Sequence, residues 1–341
     1  MNPPLVSILI PTYNRPEYLR RAVESCLAQT HRNFEMVITD NSTNDASAQM
    51  MAGYADPRIR YCSNGGNIGP WASPNRAVSL AQGKYFKFLM DDDLLKPRCL
   101  ELMVAALERH PSAGYAMAPM ELIDENDCRI FPRFYLFRKM CYRFRYQVGD
   151  GLIERRRLMK DFLTREYPCT VPTGIMWRAE ALRTAGPFLR QTEFAGDLEM
   201  CMRVGATWDA CYIDEVLAAE RHHVRRHTAT LHQTGLNIRV FYFVTRKSLQ
   251  NKSVQEMFRD HWNKLVRDSF FFCSCRALLN AMAGLRTLNP KLFVATFLTI
   301  MREDPYPLNW LRLPFFAARE IFVSLFPKPL PPAREPTPTV S

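Results

Sequence analysis

Three short runs in this sequence have the residue types and spacing to do chemistry, and each follows an apolar stretch. Pro11-Thr12-Tyr13-Asn14 follows LVSILI, Asp40-Asn41-Ser42 follows FEMVIT, and Asp91-Asp92-Asp93 follows YFKFLM. Three adjacent carboxylates repel one another unless a counter-charge lies beside them. A divalent cation supplies it, since Mg2+ or Mn2+ held by one or two carboxylates keeps room for substrate phosphates. The alternative is an Asp-rich turn or helix cap leading to Pro97, a part that Asp93 fits.

The apolar stretches read as the strands that position these groups. Leu5 to Pro11 is β-branched and apolar, as a strand buried on both faces should be. Asn14 and Glu17 have capping-box spacing and Pro16 suits a first helical turn. Leu19, Ala22, Val23, Cys26 and Leu27 then share one apolar helical face. Phe34 to Thr39 is a second strand, and strand–helix–strand implies a parallel pair with a right-handed crossover.

The alternation continues with a strand at Ile59–Tyr61, a Gly/Asn loop at Asn64–Gly69, and a helix at Ser73–Ala81 that Gly83 closes as a left-handed cap. Next come a strand at Tyr85–Met90, a helix at Leu100–Arg109, a strand at Ala113–Ala118 and a hairpin tip at Asp124–Asp127. The predicted fold class is α/β, an open, Rossmann-like, mostly parallel, doubly wound sheet. Ligands of such sheets gather at the carboxyl ends of the strands, where all three runs fall. Helices are expected at Gly151–Leu163, Ala179–Ala185 and Asp197–Ala206, and long helical patterns take over after about Leu231. The expected organisation is a catalytic domain over 1–232, a helical C-terminal region over 233–326, and a Pro-rich, disordered tail over 327–341.

Composition narrows the partners. The 341 residues, 47% apolar, suffice for one large globular domain and an appendage. The net charge is +11, and residues 129–165 hold eleven Lys/Arg against three Asp/Glu. Such a balance suits nucleotides, nucleic acid or an anionic membrane surface. None of the ten cysteines forms a CxxC pair. With no signal-peptide pattern at the start, a cytoplasmic location is expected, with peripheral contact at the inner face of a membrane as an option. Lys291–Met301 and Phe315–Phe326 are too short to span a bilayer and read as buried or interfacial helices.

Taken in order, SILIPTYNRPEYLRRAVESCLAQT, FEMVITDNSTND, NGGNIGPWASPNRAVSLAQGKY, FLMDDDLLKP, TGIMWRAEALRTAGPF and FAGDLEMCMR resemble family 2 glycosyltransferases of the GT-A fold, over roughly residues 5–230. The resemblance implies metal-assisted transfer of a sugar from a nucleotide-diphosphate donor, with inversion. Pro11, Thr12, Tyr13 and Asn14 would line the nucleotide pocket, with Tyr13 against the base, and Asn67 would join the donor-binding set. Asp40 would accept a hydrogen bond from the base edge, favouring uracil. Asp92 and Asp93 match the metal motif, with Mn2+ or Mg2+ expected, and Asp91 matches a ribose or phosphate contact. Many members carry an aspartate where this chain has Met90.

The usual acidic pair beside the acceptor reads Gly196-Asp197 here, so Asp197 matches the general base and Glu199 is its alternative. The basic run from Arg221 to Thr228 resembles a loop that closes over the diphosphate, which points to His223 and Arg226. The acceptor would be a sugar or a lipid-linked group, in cell-surface polysaccharide or glycoconjugate synthesis, and nucleic acid is not an expected partner. Competing readings are a catalytically inactive nucleotide-sugar binder, motivated by Met90 and Gly196, and a nucleic-acid-binding protein, which leaves the acidic runs unexplained. A nucleotidyltransferase would show a Gly-rich loop after the first strand, and PTYNRP has no glycine.

Overall fold

The computed structural model describes residues 5–130, 151–164, 171–222, 236–286, 290–306, 308–309 and 311–314. The first unit runs β1 (Val6–Thr12), α1 (Pro16–Leu27), β2 (Phe34–Asp40), α2 (Ala46–Met51), β3 (Ile59–Ser63), α3 (Ala72–Leu80) and β4 (Tyr85–Phe88). It continues through β5 (Leu94–Leu95), α4 (Cys99–Arg109), β6 (Ala113–Met117), β7 (Met120–Ile123), β8 (Arg129–Ile130), β9 (Gly151–Ile153) and α5 (Arg155–Thr164). Then follow β10 (Ile175–Arg178), α6 (Ala179–Ala185), α7 (Gly196–Gly205), β11 (Asp209–Tyr212) and β12 (Ala218–Arg221). From Leu236 the described chain is helical: α8 (Leu236–Leu249), α9 (Lys252–Met257), α10 (Trp262–Arg286) and α11 (Pro290–Glu303).

The main sheet has eight strands in the order β3-β2-β1-β4-β10-β6-β11-β9. β3, β2, β1 and β4 are mutually parallel, β10 runs against both its neighbours, β6 and β11 are parallel, and β9 closes the edge antiparallel. Six strands therefore point one way, as the alternating pattern predicts. Side chains divide between the faces with the two-residue period of a strand. Val6, Ile8 and Ile10 of β1 and Met36 and Ile38 of β2 pack on one face with Leu19, Val23 and Cys26 of α1 and Leu100, Met103 and Leu107 of α4. Leu9, Val37, Phe86 and Phe88 face the other way, into a core that includes α5, α7 and side chains of α8 and α10. The C-terminal helices thus share a core with the sheet.

Four local expectations change. Asn14 does not cap α1: its backbone is left-handed (φ 53°), no side chain caps the helix, and its amide is turned to the loop after β2. Gly83 is not a left-handed cap; a Cβ there would lie 2.6 Å from the Ser7 backbone nitrogen, so glycine is required by close approach to β1. The helix expected from Gly151 begins at Arg155, because Gly151–Ile153 pairs with β11 as an edge strand. A second sheet, β5-β12-β7-β8, was not foreseen, since strands of two to four residues carry no readable period. No described helix is long and apolar enough to cross a membrane.

Candidate active site at the carboxyl ends of the parallel strands

Register brings the three polar runs to one edge. Thr12 at the end of β1 lies opposite Asp40 at the end of β2, and β4 flanks β1 on its other side. The Thr12 hydroxyl donates to Asp91 Oδ2 at 2.8 Å, and the Tyr13 N–H reaches the same oxygen at 3.2 Å. The Asn14 N–H donates to Ser42 Oγ at 2.8 Å, and Asn14 Oδ1 accepts from the Thr43 N–H at 3.0 Å. Direct hydrogen bonds therefore weld runs that are separated by up to about eighty positions in sequence into one rim.

The acidic loop is crowded. Burial first, and then the charge of Asp92, pushes Asp91 up to about 6 against the opposing pull of Arg15. Burial and the charges of Asp92 and Glu220 hold Asp93 well above the usual carboxylate range. Arg15 Nη1 lies 3.2 Å from Asp91 and 2.9 Å from Asp92. Asp93 is anchored inward, accepting from Thr173 Oγ1 at 2.6 Å and from the Arg221 N–H at 3.0 Å. The Thr173 hydroxyl oxygen also accepts the Met90 N–H at 3.2 Å, so Met90 takes its place through its backbone.

Arg221 is fully buried. Its Nε donates to the Asp92 carbonyl at 2.8 Å and its Nη1 to the Asp124 carbonyl at 2.6 Å, Nη2 pairs with the Asp127 carboxylate, and the guanidinium sits 5.0 Å from the Tyr18 ring centre. The second sheet thereby ties the acidic loop to the hairpin tip. Among the described residues, no three His, Cys, Asp or Glu groups form a ready-made metal cage. Hard oxygen donors held close under mutual repulsion fit a Mg2+- or Mn2+-like ion that shares its shell with phosphate oxygens.

At the other end of the rim, Asp40 is buried and accepts from the Ser42 N–H at 2.7 Å and from the Tyr61 hydroxyl. Asn41 organises the loop beyond: its Oδ1 accepts from Asn64 Nδ2 at 2.7 Å, and its Nδ2 reaches the Gly69 carbonyl at 3.2 Å and Asn67 Oδ1 at 3.4 Å. Asn67 Oδ1 also takes the Gly69 N–H at 2.9 Å. The rings and alkyl groups of Tyr13 and Ile68 stay exposed at this end.

Asp197 opens α7, where its Oδ1 accepts the Leu198 N–H at 2.7 Å. It keeps part of its surface, yet burial of the carboxyl, with the Glu220 charge adding, pushes it up to about 7 against two backbone N–H groups. The missing acid before it has a steric cause. A Cβ on Gly196 would stand 2.4 Å from Trp71 Cζ2 and 2.9 Å from Thr192 Oγ1. Trp71 is itself fixed, stacked on Phe188 at 5.1 Å and 9°, with Phe188 edge-on to Phe88 at 5.4 Å. Glu199 is buried and paired with Arg203 at 2.6 Å, whose guanidinium also holds the Ala185 and Pro187 carbonyls. It anchors α7, and the alternative base reading falls away.

His223 and Arg226 lie outside the described residues. The sequence reading missed Arg15, Tyr61, Trp71 and Thr173, and saw Arg221 only as part of a basic run. Arg15 and Thr173 sit inside the quoted motifs PTYNRP and TGIMW, so adjacency was their signal. Trp71 also lies inside a quoted motif, NGGNIGPWASPN, but its partner Gly196 is distant in sequence, and Tyr61 is recognisable only once β2 and β3 are paired.

The Glycosyl transferase family 2 profile matches residues 7–183, more than half of the chain, and the chain belongs to that family. An uncharacterized glycosyltransferase of Methanocaldococcus jannaschii is 37% identical over 170 residues, 47% of this chain and 59% of that protein. WcaA of Escherichia coli K12, named as a colanic acid biosynthesis glycosyl transferase, is 40% identical over 106 residues, 30% of this chain and 38% of its own. The chain therefore spans less than two thirds of either relative. Staphylococcus aureus TarS 1–349 in complex with UDP-GlcNAc superposes with a TM-score of 0.58 at 15% identity, covering 88% of this chain and 93% of TarS 1–349. The mannosyltransferase PcManGT of Pyrobaculum calidifontis, in complex with GDP-Man and Mn2+, gives 0.56 at 15%, covering 96% and 88%. These likenesses establish the GT-A fold.

Proposed function

We propose that this protein transfers a sugar from a nucleoside-diphosphate donor to an acceptor hydroxyl in one inverting displacement. The observation that carries the reading is the welded rim, Thr12–Asp91–Arg15–Asp92, with the near-neutral carboxyl of Asp197 at the head of α7. Asp40 accepts a base-edge N–H, which favours UDP, while Tyr13 offers its ring to the base. Asn14 and the Asn41–Asn67 network hold the pocket walls in place. Asp92 is the carboxylate offered to a divalent ion, with Asp93 fixing the loop from beneath and Asp91 facing the ribose or phosphates. A divalent ion such as Mn2+ or Mg2+ held there would supply positive charge to offset that of the leaving nucleoside diphosphate.

Asp197 takes the proton of the acceptor hydroxyl as its oxygen bonds to the anomeric carbon and the donor's glycosidic C–O bond to the diphosphate breaks. A carboxyl poised near neutrality matches that task. The name of WcaA supports a place in polysaccharide synthesis.

The test is release of nucleoside diphosphate from a panel of UDP-, GDP- and dTDP-sugars with Mn2+ or Mg2+. Slow donor hydrolysis that EDTA and Asp92→Ala abolish, with donor binding retained in Asp197→Ala, is expected. Folded protein that binds no nucleotide sugar sinks the proposal.

A further inference from the structure

Nine large apolar side chains are exposed among the described residues, and six of them fall within one stretch: Val294, Phe297, Leu298, Met301, Leu308 and Leu311. Two of the others, Tyr13 and Ile68, flank the donor site. We propose that the C-terminal stripe is a docking surface for an anionic lipid bilayer, on which the protein lies without crossing it.

Helix α11 shows why. Thr296 and Ile300 are buried, on the side that packs against α10. Val294, Phe297, Leu298 and Met301 follow the spacing i, i+3, i+4, i+7, and they are between 42% (Met301) and 59% (Leu298) exposed. A helix on a globular surface is ordinarily polar on that side. A contiguous apolar stripe marks an interaction face.

Charge selects the occupant. The acids of this segment are committed inward: Glu303 pairs with Arg246, and Asp304 is buried with Ser274 and Asn309 on its carboxylate. Arg302 is exposed next to Met301. Residues 236–314 hold twelve Lys/Arg against five Asp/Glu. An apolar stripe beside an exposed arginine, on a segment with a cationic balance, matches the boundary between acyl chains and anionic headgroups. No described helix is long and apolar enough to span. Nothing in this argument uses the donor site, so it stands or falls apart from the proposed transfer.

The experiment is co-sedimentation of the full chain with phosphatidylcholine vesicles containing about 30% phosphatidylglycerol at low salt. Binding is expected, weakened about tenfold on pure phosphatidylcholine and again by about 0.5 M salt. Phe297→Glu/Leu298→Glu should lower binding at least about tenfold while leaving donor hydrolysis and the unfolding midpoint unchanged. Val294→Gln/Met301→Gln serves as a second, milder variant with the same expected direction. Wild-type protein that ignores the vesicles, or variants that bind as wild type does, overturns the proposal. So does a dimer in solution that the glutamate variant splits without any effect on vesicle binding, since the stripe would then be a protein–protein face.

Discussion

Two regions of this molecule bury carboxylates, and they do so in opposite ways. In the C-terminal helices, Asp304 is surrounded by neutral donors: Ser274 Oγ at 2.6 Å, the Tyr306 N–H at 2.9 Å, and Asn309 Nδ2 at 3.2 and 3.3 Å. Tyr242 extends that network through its 2.7 Å contact with Ser274. At the strand ends, Asp91, Asp92 and Asp93 sit beside one another, and each of the buried two is held above its ordinary range partly by the charge of Asp92. A buried acid saturated with hydrogen bonds is a strut. One left under like-charge repulsion is stable only because the surrounding fold over-determines it, and it gains when a cation arrives.

The sharpest way to break this contrast is to neutralise acids of the candidate site and, separately, the buried acid of the C-terminal region. Asp197→Asn and Asp92→Asn should each lower turnover by about 100- to 10,000-fold, the range of a lost base or of lost charge stabilisation. Asp92→Asn should do so without lowering the unfolding midpoint of the metal-free protein, because it removes the repulsion that burdens Asp91 and Asp93. Mn2+ should raise the midpoint of the wild type, and the same variant should lose that rise. A large fall in metal-free stability would mean that the Arg15–Asp92 pair outweighs the repulsion. Asp304→Ala should instead destabilise by about 2–4 kcal/mol in urea unfolding, since it orphans several buried donors. Its response to Mn2+ should be unchanged. If the stability losses were reversed between the two regions, the comparison would fail.

A smaller effect is expected at the head of α7. Gly196→Ala drives a methyl group into Trp71 and should cost about 1–3 kcal/mol of stability, with a drop in turnover because Asp197 is the next residue. Trp71→Ala opens a gap of its own, but Gly196→Ala/Trp71→Ala should be less destabilised than the two single losses added together. Strict additivity in that cycle would show that the two side chains do not compete for one space.

The contrast also explains what was legible in the sequence. Strands β1, β2 and β4 were readable because burial on both faces demands unbroken apolar runs, and the polar residues that end them form the candidate site. The candidate base Asp197 could be named from sequence because its motif is local. Tyr61 on Asp40, Arg221 beneath the acidic loop and Trp71 against Gly196 were not, because each joins positions far apart in the chain through pairing that no period encodes. The capping-box spacing of Asn14 misled for the same reason: a tertiary partner, the Thr43 N–H, outcompeted the local helix end. The apolar pattern of 291–301 fitted both a buried helix and an interfacial one; in the structure Thr296 and Ile300 are covered while Val294, Phe297, Leu298 and Met301 are exposed.

The smallest effect concerns pH. Asp197 must be ionised to accept a proton, and burial pushes its carboxyl up to about 7. Acidification below that value protonates it, so kcat/KM should fall about tenfold per pH unit on the acid side and level off above. Glu220 contributes to the upward shift through its charge. Glu220→Gln removes that charge, the carboxyl of Asp197 moves down, and the acid limb should shift to lower pH by less than about one unit. In Asp197→Asn the limb should disappear from whatever rate remains. A limb that persists there, or one that moves to higher pH in Glu220→Gln, would assign the titration to a different group and separate Asp197 from the proton transfer.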